Sequence, residues 1–195
     1  MFIAAVMTLA IFQVAPVPEA CAYDRDAMLA LTPEDFDQDL TGGWRPLGNR
    51  DECREVAADL LAAYRETHWG DLDVDQLHTN YWHEGQLRAA LGQRDRAVRL
   101  LLAGVGPSPI PDGKADYAIG TVAFLLNDLP TLQAARARLA ATPPPPGFEE
   151  SARTFKERYG RDLVWPLNLD VLDGLIACFD KPYGEAYGQD CRPAA

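Results

Sequence analysis

Apolar residues recur at helical spacing in blocks separated by glycine and proline. Thr32-Pro33-Glu34-Asp35 reads as a helix start: a capping hydroxyl, a proline in the first turn and acids at the positive end of the dipole. Gly42-Gly43 ends that short segment. From Glu52, the residues Val56, Leu60, Ala63 and Tyr64 share one helical face, closed by Trp69-Gly70. A further helix is expected from Val74 to Leu91 on the stripe Leu77, Tyr81, Leu87 and Leu91. Ala97, Val98, Leu101 and Leu102 mark the next, and Tyr117 to Leu126 and Thr131 to Ala141 mark two more. Gly104 to Gly113 reads as a loop, and Pro143 to Gly147 as a four-proline stop. No segment alternates with period two for long enough to be a strand. The stretch around Trp165 is the only candidate, and Pro166 demotes it. The expected fold class is all-α, with an irregular helical bundle as the alternative to a regular stack.

One spacing repeats. Gly85 is followed by Gly92 and Ala97, Gly120 by Asn127 and Leu132, and Gly174 by Lys181 and Ala186, at the same intervals. Pro109 and Pro144 stand twelve residues beyond Ala97 and Leu132. A small residue midway along one helix lets the next approach, a turn residue ends the first helix, and a compact residue then packs into the facing groove. This pattern, best developed in Trp82-His83-Glu84-Gly85, Leu91-Gly92, Ala97, Leu101 and Pro109, resembles the tetratricopeptide repeat, a helix–turn–helix unit of 34 residues. The resemblance covers roughly residues 74–190. It departs at Arg136 and Asp190, where apolar residues are expected, and across an inserted Pro-rich loop near 143–161. A weak first unit runs through Trp44, Asp51 and Val56, with Pro46 inside its first helix.

The resemblance implies a stack of antiparallel hairpins whose first helices line a concave face that binds an extended peptide. Trp82, Gln86, Tyr117 and Thr121 are the candidate binding residues there, with Val171 and Leu175 at the equivalent places in the last unit. Solvent-open aromatics would support binding; burial would make Trp82 and Tyr117 packing residues between hairpins.

Composition narrows the partner. Across 195 residues, 18 basic and 29 acidic side chains leave a net charge of −11. That balance argues against nucleic acid, which requires cations to displace counterions from phosphates, and against anionic lipid surfaces. A protein or peptide partner with a basic or neutral segment suits it better.

Met1 to Val14 carries no charged side chain and is too short to span a bilayer as a helix. It reads as the apolar core of a signal peptide covering residues 1–22, although no basic residue precedes it. Ala20-Cys21-Ala22 offers an A-x-A cleavage site, which leaves residues 23–195 as one domain, periplasmic or secreted and without membrane insertion. Cleavage after Ala22 removes Cys21 and leaves Cys53, Cys178 and Cys191, an odd count allowing one bridge and one free thiol. The last helix is expected to start near Pro182 and run back along the one before it, which places Cys191 beside residue 172, about 9 Å below Cys178 and out of disulfide reach. That pair is therefore expected to be unlinked, and a Cα–Cα distance below 7 Å would overturn both this reading and the last hairpin.

Candidate chemistry is sparse. His78 and His83 point about 140° apart on a helix, poor for holding one metal, and His83-Glu84 does not extend to HExxH because Leu87 takes the fifth position. The acid run Asp71-Leu72-Asp73-Val74-Asp75 lacks the glycine and the glutamate of a calcium loop and fits a helix start instead. No GxSxG, P-loop or GxGxxG occurs, and a Cys–His dyad stays open. No cofactor is implied. The favoured expectation is an exported, non-catalytic interaction or scaffold module. The alternatives are a small hydrolase or lyase using His83 and Glu84, and a structural assembly subunit whose apolar face is covered by a copy of itself.

Overall fold

A computed structural model describes residues 17–106 and 113–193. The apolar run Met1–Val14 and Pro109 lie outside the described residues. The fold is all-α, and the described residues contain no strand. In chain order the helices are α1 (Arg25–Leu29), α2 (Arg45–Gly48), α3 (Arg54–Thr67), α4 (Val74–Ala90), α5 (Arg94–Ala103), α6 (Lys114–Leu125), α7 (Leu129–Ala140), α8 (Phe148–Tyr159), α9 (Leu169–Ala177) and α10 (Tyr183–Ala186). Single 3-10 turns occupy Glu19–Cys21, Asp51–Cys53 and Gln189–Cys191, and Glu34–Gln38 forms a π-helical turn. None of these helices is long and apolar enough to cross a membrane.

Local chemistry sets the boundaries. Asp73 accepts from the Gln76 N–H at 2.8 Å while the Gln76 side chain accepts from the Asp73 N–H at 3.0 Å, a reciprocal cap that opens α4 and accounts for the acid run there. Asp128 caps α7 through the Thr131 N–H. Between the paired helices, Gly92 and Asn127 take positive φ, 73° and 58°, at the turn positions that the repeat spacing marks.

The strongest helix pairings are α3 with α4, α4 with α5 and α6 with α7. Glycines let them close. A Cβ on Gly85 would stand 2.8 Å from Leu101 Cγ, and one on Gly120 would stand 2.8 Å from Leu172 Cδ2 and 3.4 Å from Leu132 Cδ1. Ala97, Leu132 and Ala186, the compact residues of the repeat spacing, are fully buried. Arg136, which breaks the apolar pattern, forks onto both oxygens of Asp173 in α9 at 2.7 and 3.0 Å. It thereby joins α7 to α9 with two charge-assisted bonds.

The buried apolar residues form two clusters. One gathers Cys21, Phe36, Trp44, Leu47, Cys53, α3 and Leu87. The other gathers Ala89, Leu101, α6, α7, α9 and α10. Both draw on α4, through Leu87 and Ala89.

Three expectations are corrected. Cys178 and Cys191 are disulfide-bonded with Cα atoms 5.9 Å apart. The extrapolation failed because α10 is a single turn: the chain then bends through Gln189–Cys191 back onto α9 rather than running down it, so the last unit is not a full hairpin. Cys21 is fully buried and bonded to Cys53, with Cα atoms 5.4 Å apart, so no cysteine is free. Cleavage after Ala22 would remove half of that bridge. Finally, the 143–161 insertion is not only loop, since it contains α8. This helix turns Phe148, Ala152, Phe155 and Tyr159 to one side and buries none of its residues fully.

Candidate functional site

The four residues chosen from the repeat pattern fall on two facing helices. Trp82 and Gln86 lie one turn apart on α4, and Tyr117 and Thr121 one turn apart on α6. The Trp82 and Tyr117 rings meet with centroids 5.2 Å apart. Gln86 Nε2 donates to the hydroxyls of Tyr117 and Tyr187 at 3.4 and 3.5 Å. Thr121 is fully buried and spends its hydroxyl on the Tyr117 carbonyl of its own helix, at 2.9 Å. Tyr117 is 7% exposed, and Trp82 packs half-buried against the second apolar cluster. Burial, helped by the neighbouring tyrosines, pushes the Tyr117 hydroxyl well above its ordinary pKa, so it stays protonated. Tyr117 and Thr121 are thus packing residues, and of the four Gln86 alone reaches the cleft between α2, α4 and α10.

His83 and Glu84 do not act together. Glu84 is fully buried: Arg65 and Arg96 each reach it at 2.7 Å, and Arg88 at 3.3 Å. A carboxylate so enclosed holds α3, α4 and α5 together and has no oxygen left for a substrate. His83 points elsewhere. Its Nδ1 lies 2.6 Å from Oδ1 of Asp37, which also accepts from the Trp44 indole N–H at 2.9 Å. Burial alone would raise the Asp37 pKa. The bond to His83, that residue's charge, the Trp44 bond and the Arg45 charge outweigh it and hold the carboxyl below its usual range.

The other two histidines are used locally. His68 Nε2 meets the Leu29 carbonyl at 2.7 Å, and His78 packs against Gly106. With every cysteine in a bridge, a Cys–His dyad is ruled out. Among the described residues no three histidine, cysteine or acidic side chains converge on a metal position.

What His83 does line is a cleft of about 360 Å³ between α2, α4 and α10, together with Trp44, Arg45, Arg54, Gln86, Leu87, Ala90, Tyr183 and Tyr187. Two glycines shape its first wall. A Cβ on Gly43 (φ 54°) would fall 1.9 Å from the Phe36 carbonyl oxygen, and one on Gly48 would meet the Trp44 ring at 2.6 Å. Glycine at both places lets α2 fold flat under its own tryptophan. On the far wall Tyr183 and Tyr187 stack one turn apart, with centroids 5.5 Å apart. Arg192 fixes that wall, donating twice to the Tyr187 carbonyl at 3.1 and 2.9 Å and reaching Asp170 at 3.0 Å.

The charge of this cleft reverses that of the chain. Arg45, Arg54 and His83 line it, and no acid does. The neighbouring 310 Å³ cleft is the opposite, with Glu34, Asp37, Asp73 and Asp75 and no arginine or lysine. Arg54 is ion-paired with Asp51 at 2.6 Å. Arg45 stacks over the Trp44 ring at 4.5 Å and donates one NH2 bond to the Asp37 carbonyl at 2.6 Å. It meets no carboxylate among the described residues, and burial pushes its pKa down. Among the described residues two buried side-chain polar atoms lack a hydrogen-bond partner, Arg45 Nε and the Tyr183 hydroxyl. Both residues line this cleft.

Sequence reasoning found Gln86 and His83 but missed Trp44, Arg45 and Tyr187 as a group. The one available signal was the i, i+4 spacing of Tyr183 and Tyr187.

No protein-family model, curated protein or solved structure matches this chain.

Proposed function

We propose that this chain is a non-catalytic binding module, built of tetratricopeptide-like helical hairpins, that holds part of a protein or peptide partner in the cleft between α2, α4 and α10. One observation carries the reading: an otherwise acidic molecule keeps an acid-free, aromatic-walled cleft at the meeting of its two apolar clusters, with sides drawn from both. Net charge pointed to a basic or neutral partner. Asp51 and Asp37 pair with Arg54 and His83 from outside the lining, which leaves Arg45 as the cation of the cleft that meets no carboxylate among the described residues, so the cleft suits an anionic or hydrogen-bond-accepting segment. The apolar run at Met1–Val14 and two disulfides support export to an oxidising compartment. Processing then falls before Cys21, which keeps its bridge.

Affinity purification of the tagged chain from its native envelope tests this, with Gln86→Glu beside an exposed control on α7, Gln133→Glu. A carboxylate at position 86 replaces the Gln86 amide donor with an acceptor for the Tyr117 and Tyr187 O–H groups, so the contacts are kept with their direction reversed while the cleft gains negative charge. A stoichiometric partner retained by the control and lost with Gln86→Glu supports the module. Equal capture by both variants, or no partner at all, overturns it. The N-terminal peptide in the same mass spectrum reports the processing site.

A second reading has one observation in its favour. Asp37 orients His83 as a carboxylate orients a general base, and His83 Nε2 makes no hydrogen bond among the described residues. A hydrolase would then use His83 with Asp37, not Glu84. Hydrolysis of p-nitrophenyl acetate separates the two readings: His83→Ala lowers the rate at least tenfold for a hydrolase and leaves it unchanged for a binding module.

A further inference from the structure

The chain neutralises its buried guanidinium groups with its own acids. Arg65 meets Glu84, and Arg88 meets Glu84 and Asp59. Arg45 is the exception. Among the described residues its Nε is buried without an acceptor, its one hydrogen bond goes to a backbone carbonyl, and no acidic side chain lines the cleft beside it. Tyr183, 6% exposed, holds a second buried donor in the same condition. The Gln86 amide, already shared between Tyr117 and Tyr187, stands close enough to donate to the Tyr183 oxygen as well, and the Tyr183 O–H itself still finds no acceptor among the described residues. Leaving a buried donor unmade costs its full desolvation, so two of them bordering one opening mark a place where an acceptor is missing.

We propose that this cleft is a carboxylate site, in which the Arg45 and Tyr183 side chains, whose unpaired donor atoms are closed to solvent, turn them onto a planar carboxylate while Trp44 and Tyr187 flank the flat apolar body that carries it. The proposal rests on the cleft being the binding site, and it names what enters. A guanidinium and a carboxylate match in plane and in charge, and a hydroxyl completes the acceptor's shell. A cationic ligand would meet the Arg45 guanidinium with no acid in the lining to receive it. A phosphate dianion asks for more positive charge than the cleft has free, because Arg54 is already paired with Asp51. The volume, about 360 Å³, accepts a small aromatic acid or the acidic end of a larger ligand.

The test is calorimetric titration of the full, oxidised chain with benzoate, its neutral isostere benzamide, and inorganic phosphate. Benzoate saturates a single site. Benzamide binds roughly tenfold more weakly or worse, because the charge-assisted bonds are lost, and phosphate does not saturate. Arg45→Gln lowers benzoate affinity about tenfold. Because Arg45 also supports the Asp37 carbonyl, the gentler Tyr183→Phe is the decisive variant. It lowers benzoate affinity about fivefold and raises the melting temperature of the unliganded protein, since it deletes a buried hydroxyl that nothing satisfies. Absence of saturable benzoate binding overturns the proposal. So does equal binding of benzamide or phosphate, or a Tyr183→Phe protein that melts lower and binds benzoate unchanged. If partner capture depends on Gln86 while benzoate does not bind, the carboxylate site falls and the module stands. If benzoate binds through Arg45 while capture ignores position 86, the module falls and the carboxylate site stands.

Discussion

His83 Nδ1 and Asp37 Oδ1 lie 2.6 Å apart although 46 positions separate them in the chain. The contact fastens the π-helical turn to the middle of α4, and the Trp44 indole bonds the same oxygen. With the Tyr64 hydroxyl on the Leu31 carbonyl and His68 on that of Leu29, it is one of three polar ties between the N-terminal segment and α3 or α4 among the described residues. Asp37→Ala strands two donors in a largely buried place and is expected to cost about 2–3 kcal/mol, read from urea unfolding monitored by tryptophan fluorescence.

The same pair gives the molecule an acid-side signature. The Asp37 carboxyl titrates below its ordinary value of 3.8 in the folded chain. As pH falls, the unfolded chain takes up this proton first. The stabilisation is therefore full above that value and is lost as pH drops through the lower folded value. Asp37→Asn lacks this term, so its stability should fall less steeply than that of the wild type between about pH 5 and 2. Parallel acid profiles would refute the assignment.

Glu84 is expected to matter for stability alone. Glu84→Ala leaves Arg65 and Arg88 buried without their shared anion, at a cost of about 3–5 kcal/mol. Arg96, half-exposed, contributes little to that figure. Chemical denaturation of this variant at neutral pH should show a lower midpoint with an unchanged slope. A folded, wild-type-stable Glu84→Ala protein would remove the ion network as a structural element.

The two bridges close loops of different length, with separations of 32 residues for Cys21–Cys53 and 13 for Cys178–Cys191. By loop-closure entropy the first contributes about 4 kcal/mol and the second about 3 kcal/mol. Double Cys→Ser variants of each pair should rank in that order in thermal unfolding. Thiol labelling of the denatured, unreduced chain should find no reactive cysteine.

Glycine tolerance should follow the helix contacts. Gly85→Ala and Gly120→Ala drive a methyl group into buried Leu101 and Leu172 and should destabilise by about 1–3 kcal/mol, less whatever the better helix former returns. Gly70→Ala meets nothing within 4 Å and should be neutral to slightly stabilising. Three melting curves decide this.

Much of the fold was legible because it is local. The stripes in α3 to α7 and the turn residues Gly92 and Asn127 follow from helical period and backbone preference, and the structure places them within a few residues of expectation. Gly85 and Gly120 were legible because close helix approach requires a small residue. What was missed depends on meetings between distant segments. α8 was hidden behind the proline run, and its Phe148–Tyr159 stripe is too weakly buried to anchor a core. The Cys178–Cys191 bridge was lost by extending a one-turn helix as if it continued. The cleft is built from residues near 45, 85 and 185, and no spacing along the chain encodes that meeting. Trp82 and Tyr117 were conspicuous as aromatics but pack inside, whereas Arg45 and Tyr183 looked ordinary until their unsatisfied atoms were placed.

Leu87 belongs to one apolar cluster and Ala89 to the other, and a single turn of α4 carries both. The two clusters that back the cleft therefore cannot swing apart as bodies without breaking a helix. Whatever docks there meets a rigid notch and not a closing jaw. Capture should then proceed in one kinetic step, with an observed rate that climbs linearly with ligand concentration and never levels off at the pace of a rearrangement.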